Sequence, residues 1–150
     1  MQKKKIKVGI VGISFGMEFV PIYQRHPNVE SVAVADYNRS LLATCAEKFH
    51  IPAEDCYTSL DDMLKDEEIN FVYVASPNSL HFEHALKALQ AGKNVICEKP
   101  FTSTVEEFDR LVKEAQDRHL YLFEAIVTAH MPNYLRMKEE LPRLGTIRMV

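Results

Sequence analysis

No stretch of this sequence approaches the roughly 18 consecutive apolar residues that a bilayer-spanning helix requires, which argues against a membrane role. The opening "MQKKKIKVGIVGISFGMEFV" sets a basic run before an apolar one, as a secretion signal does. However, Lys7 and Glu18 limit the apolar run and no small-residue cleavage site follows. Cysteine is scarce: Cys45, Cys56 and Cys97 are an odd number without CxxC spacing, so neither a disulfide framework nor a zinc site is indicated. All three are expected to be small buried apolar groups. There is no basic excess either. With 18 Lys and Arg against 21 Asp and Glu, the net charge of −3 gives no footprint for nucleic acid or anionic membranes. Internal repeats and low-complexity linkers are also missing. These absences leave a cytoplasmic protein whose expected partner is a small molecule or another protein chain.

What is present fits one globular domain: 150 residues, 47% hydrophobic and 26% charged, enough to bury a real core. Short β-rich runs alternate with helical patterns: "IKVGIV" (6–11), "SVAVAD" (31–36), "FVYVAS" (71–76), "NVIC" (94–97) and "YLFEAIV" (121–127), with "CYT" (56–58) as one more short strand. Most are nearly continuous in apolar residues, as expected of strands buried on both faces. Between them, Asn38 can cap a helix carrying Leu41, Leu42, Cys45 and Phe49 on one face, and Ser59 can cap "LDDMLK". A helix from about Leu80 to Gln90 stops at Gly92. Thr104 and Glu107 have capping-box spacing ahead of a buried stripe of Phe108, Leu111, Val112 and Ala115. The predicted fold class is α/β, a Rossmann-like doubly wound parallel sheet with helices on both faces. After the helical-looking "MPNYLRMKEELPRL", "GTIRMV" (145–150) reads as a fresh strand.

Ligands of an open parallel sheet bind beyond the carboxyl ends of the strands. The first such end is "GISFG". Gly12 closes the strand, and Gly16 with its neighbours opens a helix whose amides can meet a pyrophosphate, although an ordinary strand-to-helix turn would look similar. The G-x-G-x-x-G pattern is incomplete, because Ser14 stands two after Gly12. The second strand ends in Asp36, 24 residues beyond Gly12, where a carboxylate would hydrogen-bond an adenosine ribose diol and repel a 2′-phosphate. That favours NAD(H), while Arg39 keeps NADP(H) possible. The third long run ends in "ASPNSLHFEH", so Ser76 to His81 should face the cofactor cleft. His81 would contact a ligand or sit in solvent. With His84 it invites a metal, but no nearby Asp, Cys or third His supports one, and none is expected. The next run ends in "ICEKP", where Lys99 can stabilise charge on a substrate oxygen or assist proton transfer; an exposed lysine paired with a surface acid is the alternative.

The segments "VGIVGISFG", "VADYN", "VASPNSLHFEHALKALQAGKNVICEKP" and "YLFEAIVTAHMPNY" together resemble the N-terminal half of the Gfo/Idh/MocA oxidoreductases, over nearly the whole chain. The resemblance implies NAD(P)-dependent oxidation or reduction of a sugar, polyol or related carbonyl or alcohol. On it, Gly12, Ser14, Phe15 and Gly16 match the pyrophosphate loop, and Asp36, followed by Tyr37 and Arg39, matches the ribose site. Ser76, Pro77, Asn78 and His81 match the segment beside the nicotinamide ribose. Glu98, Lys99 and Pro100 match the family's "EKP", with Lys99 the catalytic candidate. The chain departs from the pattern at Ser14 and in "AHMPNY" (129–134), which lacks the arginine or tryptophan of some relatives. Relatives have two domains, so residues 1–125 are expected to form the dinucleotide-binding domain. Residues 126–150 would then connect to a substrate domain of which only the first strand is included. A fragment of that kind would bind cofactor without full turnover, and its uncovered apolar surface would favour self-association into a homo-oligomer. A non-catalytic dinucleotide sensor and a methyltransferase, which shares the glycine-loop plan, are the competing readings.

Overall fold

The computed structural model describes residues 5–146 and 148. Six strands, β1 (Ile6–Val11), β2 (Val29–Ala35), β3 (Cys56–Tyr57), β4 (Ile69–Val74), β5 (Asn94–Cys97) and β6 (Leu122–Glu124), form one sheet in the order β3-β2-β1-β4-β5-β6. Every pairing is parallel, with β1 central between β2 and β4. This is the doubly wound order whose direction reverses at β1/β4, where ligands of such sheets bind. The strand predicted over 145–150 lies outside the described residues.

Among the described residues, α1 (Ile13–Gly16), α2 (Val20–Arg25), α3 (Arg39–Phe49), α4 (Leu60–Met63), α5 (His81–Gln90) and α6 (Val105–Asp117) flank the sheet, and α7 (Pro132–Glu140), which buries no residue, follows it. Successive strand residues feed opposite faces. Val72 and Val74 pack in a core with Leu86, Leu89, Leu111 and Ala115, while Tyr73 and Ala75 pack in a second with Ile13, Val20, Leu42 and Cys45. Side chains such as Ile10, Ile13, Leu89 and Leu111 are fully buried, each stabilising by about 1.5–3 kcal/mol.

The predicted caps form. Asn38 Oδ1 accepts from Leu41 N at 3.1 Å, Ser59 Oγ from Asp62 N at 3.1 Å and Thr104 Oγ1 from Glu107 N at 3.2 Å. Glu107 reaches back one residue further than a capping box requires, to Ser103 N at 2.9 Å. Gly92, at φ 75°, ends α5 with Lys93 N donating to Ala88 O at 2.9 Å.

Several expectations need correction. The helix after the glycine loop is two pieces, because Pro21 lacks an N–H and its ring would clash with the carbonyl four residues back; the chain turns at Met17–Phe19 and restarts at Val20. Phe108 is 45% exposed, since the buried line of α6 narrows to Leu111 and Ala115. Cys56 is only partly buried, on a two-residue strand near the sheet edge. The run at 121–127 yields only Leu122–Glu124, because its one neighbour β5 pairs with it over Val95–Cys97 and no further.

At the amino edge, Lys7 of β1 reaches Asp55 at 2.6 Å, Asp66 at 2.9 Å and Glu68 at 3.3 Å. Tyr57 Oη donates to Asp66 Oδ2 at 3.0 Å, and Lys93 Nζ to Asp66 O at 2.7 Å. Burial alone would lower the Lys7 value, but hydrogen bonds and charge from Asp55 and Asp66 outweigh it and raise it. Burial likewise pushes Asp66 up, while hydrogen bonds from Lys7, Glu68 N and Tyr57 leave it below the ordinary carboxylate range. At the other end, Val127, Met131, Leu135 and Met137 leave an apolar surface on and before α7 uncovered.

Candidate dinucleotide site

The site begins where β1 meets β4. Gly12 has φ 91°, and a Cβ there would lie 2.4 Å from Ser76 N and 2.5 Å from the Ala75 carbonyl. A Cβ on Gly16 would lie 2.6 Å from Ile10 Cγ2. These two glycines let the loop seat against the sheet, which is why the pattern retains them. Ser14 is different: it is exposed and lines the cleft, so a side chain is sterically admissible there. Its N–H and that of Phe15 belong to the first turn of α1, where a helix leaves amides without intrahelical partners. The Phe15 ring is half-exposed and meets Phe19 edge-on at 5.4 Å.

Asp36 lies one residue past β2. Its Oδ2 accepts from Ile13 N at 2.8 Å and its Oδ1 from Asn38 N at 2.9 Å, so one carboxylate ties the glycine loop to the start of α3. Each oxygen retains a second acceptor site, leaving the group able to receive ligand hydroxyls.

A cleft of ≈ 320 Å³ opens beside it. Val11, Ala35, Leu41, Leu60, Pro77 and Leu80 supply apolar walls, and Ser14, Asp36, Tyr37, Thr58, Ser76 and His84 polar groups. Of the expected residues, Gly12, Ser14, Asp36, Tyr37, Ser76 and Pro77 come together here. Phe15, Gly16, Arg39, Asn78, His81, Glu98, Lys99 and Pro100 are not among its lining. Two of the lining residues each carry a buried side-chain atom, Ser76 Oγ and His84 Nδ1, with no hydrogen-bond partner among the described residues. His84, weighed in the sequence only as a metal partner, and Thr58, just past β3, were missed as cleft residues. For Thr58 the strand-end rule that found Asp36 was signal enough.

Around the "EKP" turn the polar groups face inward. His81 is 1% exposed, neither in solvent nor presented to the cleft. Its Nδ1 lies 2.7 Å from Pro100 O and its Nε2 2.9 Å from Ser76 O, so it pins the loop after β4 to the loop after β5. Glu98 is also buried; it accepts from Tyr73 Oη and, at 3.3 Å, from Lys99 N. Burial, then the hydrogen bond and charge of Glu98, push the Tyr73 hydroxyl up, and burial followed by the Glu98 charge pushes Tyr23 up to about 12. These phenols stay protonated, Tyr73 as donor to the carboxylate. Lys99 and Pro100 are exposed at the same edge, joined by a cis peptide bond.

A parallel sheet in this order, with a tight glycine loop at its switch point and an acid at the tip of β2, defines a dinucleotide-binding domain of the Rossmann class. Residues 6–126 match the Gfo/Idh/MocA family, described as the oxidoreductase family with NAD-binding Rossmann fold. The chain belongs to that family and is its NAD(P)-binding domain. It is 38% identical over 125 residues to YgjR, an uncharacterised oxidoreductase of Escherichia coli, covering 83% of this chain and 38% of that one. It is 36% identical over 96 residues to the NADP-dependent scyllo-inositol 2-dehydrogenase IolU of Bacillus subtilis, covering 64% of this chain and 29% of that one. Among solved structures it resembles GenD2 of gentamicin A biosynthesis in complex with NAD, with a TM-score of 0.84 and 27% identity over 91% of this chain and 38% of that one. The chain thus spans less than half the length of these relatives.

Proposed function

We propose that this chain is the cofactor half of a two-domain, cytoplasmic oxidoreductase acting on a sugar, polyol or related carbonyl or alcohol, with NAD(H) preferred over NADP(H). The carrying observation is Asp36, whose carboxylate is held at the cleft by Ile13 N–H and Asn38 N–H. A ribose diol suits it and a 2′-phosphate does not, although Arg39 follows closely enough in sequence to temper that exclusion. The amides of Ser14 and Phe15 would receive the pyrophosphate, while that of Gly16 is held by Gly12 O at 2.9 Å. Ser76, Pro77 and Asn78 would flank the nicotinamide ribose, and the cofactor supplies hydride chemistry when bound. Tyr37, exposed at the cleft next to Asp36, would cover the ribose from outside.

Lys99 is the catalytic residue of this reading: its ammonium would stabilise charge on the substrate oxygen or pass a proton to it. His81, Glu98 and Pro100 would shape the turn that presents it. A second domain after about residue 125, or a second copy of the chain, would cover the apolar surface around Val127 to Met137. Three unpaired thiols suit the cytoplasm. A dinucleotide sensor would use the same cleft without Lys99. In the two-domain protein, Lys99→Ala should abolish turnover of a sugar or polyol substrate while leaving NADH affinity within about twofold; retained turnover would remove Lys99 from catalysis.

A further inference from the structure

We infer that His81 is held as an imidazolium and is a positioning residue: donating from both ring nitrogens, it locks the cofactor side of the cleft to the turn that carries Lys99. The inference rests on the dinucleotide reading and on Lys99 as the substrate-facing group, and adds the residue that sets the two in register. Both partners of the ring are backbone carbonyls, Ser76 O at 2.9 Å from Nε2 and Pro100 O at 2.7 Å from Nδ1. A carbonyl oxygen only accepts, whereas a neutral imidazole has one N–H and one lone pair. A neutral ring would therefore satisfy one carbonyl and turn a lone pair onto the other. Turning the ring over would put carbons in place of both nitrogens and lose both bonds. With His81 1% exposed, bulk solvent does not relieve that conflict; a proton on each nitrogen does.

A buried cation is tolerated where hydrogen bonds and an opposite charge compensate it. Glu98, two residues before Pro100, is also buried, and it is bound by the Tyr73 hydroxyl and the Lys99 amide, neither of which brings a positive charge. The two buried groups thus balance each other across one turn. The start of α5 disfavours a cation, but that effect is smaller than one charge-assisted hydrogen bond, and His81 makes two. The other titratable groups on the elements that meet here are Lys99 in the turn, His84 one turn along α5, and Glu124 at the end of β6, which accepts from Phe101 N at 3.0 Å. Burial is the main cause that lowers the His84 value, which leaves that ring neutral. Ser76 lines the cleft and Pro100 directly follows Lys99, so a ring bonded to both fixes the ammonium relative to a bound cofactor.

The test is nitrogen spectroscopy at pH 7.0 of the chain carrying nitrogen-15 in its histidine rings. One ring should show two N–H signals, both lost in His81→Phe and His81→Gln, while His84 shows no more than one. A single N–H on His81 overturns the inference, and the native spectrum alone decides this if a variant does not fold. The backbone amide signals of Lys99 and Phe101 should shift in both variants and that of Lys7, at the opposite edge, should not; unmoved Lys99 and Phe101 signals overturn the positioning role. In titrations read by the fluorescence of the reduced nicotinamide, His81→Phe, a ring without donors, should bind NADH about five- to tenfold more weakly, the scale of one hydrogen bond. His81→Gln returns an amide donor to one carbonyl and should lose less. NADH affinity within about twofold of native in folded His81→Phe also overturns the positioning role. If the native chain does not bind NADH, the dinucleotide reading fails and the positioning role with it, a result distinct from the N–H count, which needs no cofactor.

Discussion

Buried polar groups gather at both edges of the sheet, and they are treated oppositely. At the amino edge, Lys7 is surrounded by Asp55 and Asp66, and Asp66 is further engaged by Tyr57 and Lys93. At the carboxyl edge, Ser76 Oγ and His84 Nδ1 have no partner among the described residues, and Asp36 has acceptor capacity beyond the two amides that hold it. A network closed on itself stabilises a fold. One left open in a cleft awaits a ligand, and that difference separates structural from binding polarity more sharply than burial alone. The "EKP" corner combines both habits, since His81 and Glu98 are satisfied from within while Lys99 faces solvent.

The comparison breaks most visibly at Lys7. Lys7→Met leaves two largely buried carboxylates without their cation and should lower stability by about 3–5 kcal/mol in urea unfolding, while NADH affinity changes less than twofold. The same cluster sets an acid limit. Because the native Asp66 value lies below the unfolded one, its contribution is present above about pH 4 and is lost as pH falls through the native value, so the native chain should lose stability there. Lys7→Met should flatten that decline. Next in size is Gly12→Ala, which forces a Cβ against Ser76 N and Ala75 at positive φ; it should cost about 2–4 kcal/mol and abolish NADH binding in calorimetry. Smallest is Ser14→Gly in the same loop. The Ser14 side chain points into open cleft, so NADH affinity should be similar or better by at most about tenfold, ~1.4 kcal/mol. A collapse of binding in that variant would mean that the hydroxyl is required.

Much of this contrast was legible in the sequence. Continuous apolar runs gave the parallel sheet, cap residues gave the helix starts, and the strand-end rule led to Gly12, Asp36 and Ser76. The rule locates a residue at an edge but does not say which way its side chain turns. His81 and Glu98 therefore read as cleft residues, although backbone carbonyls and Tyr73 hold them inside. Lys7, in the sequence merely an interruption of an apolar run, gains its role from Asp55 and Asp66, 48 and 59 residues further on. His84 was similarly hidden, since its spacing from His81 suggests shared ligation while their distinct surroundings appear only in three dimensions. The break at Pro21 was within reach, because proline at that point cannot continue the helix.

The central claim is that the open edge binds a nicotinamide dinucleotide. Calorimetric titration of the chain with NADH, NADPH and S-adenosylmethionine tests it most directly. Binding of NADH, tighter than NADPH and with no uptake of S-adenosylmethionine, is the predicted result; tight binding of S-adenosylmethionine alone would contradict the account.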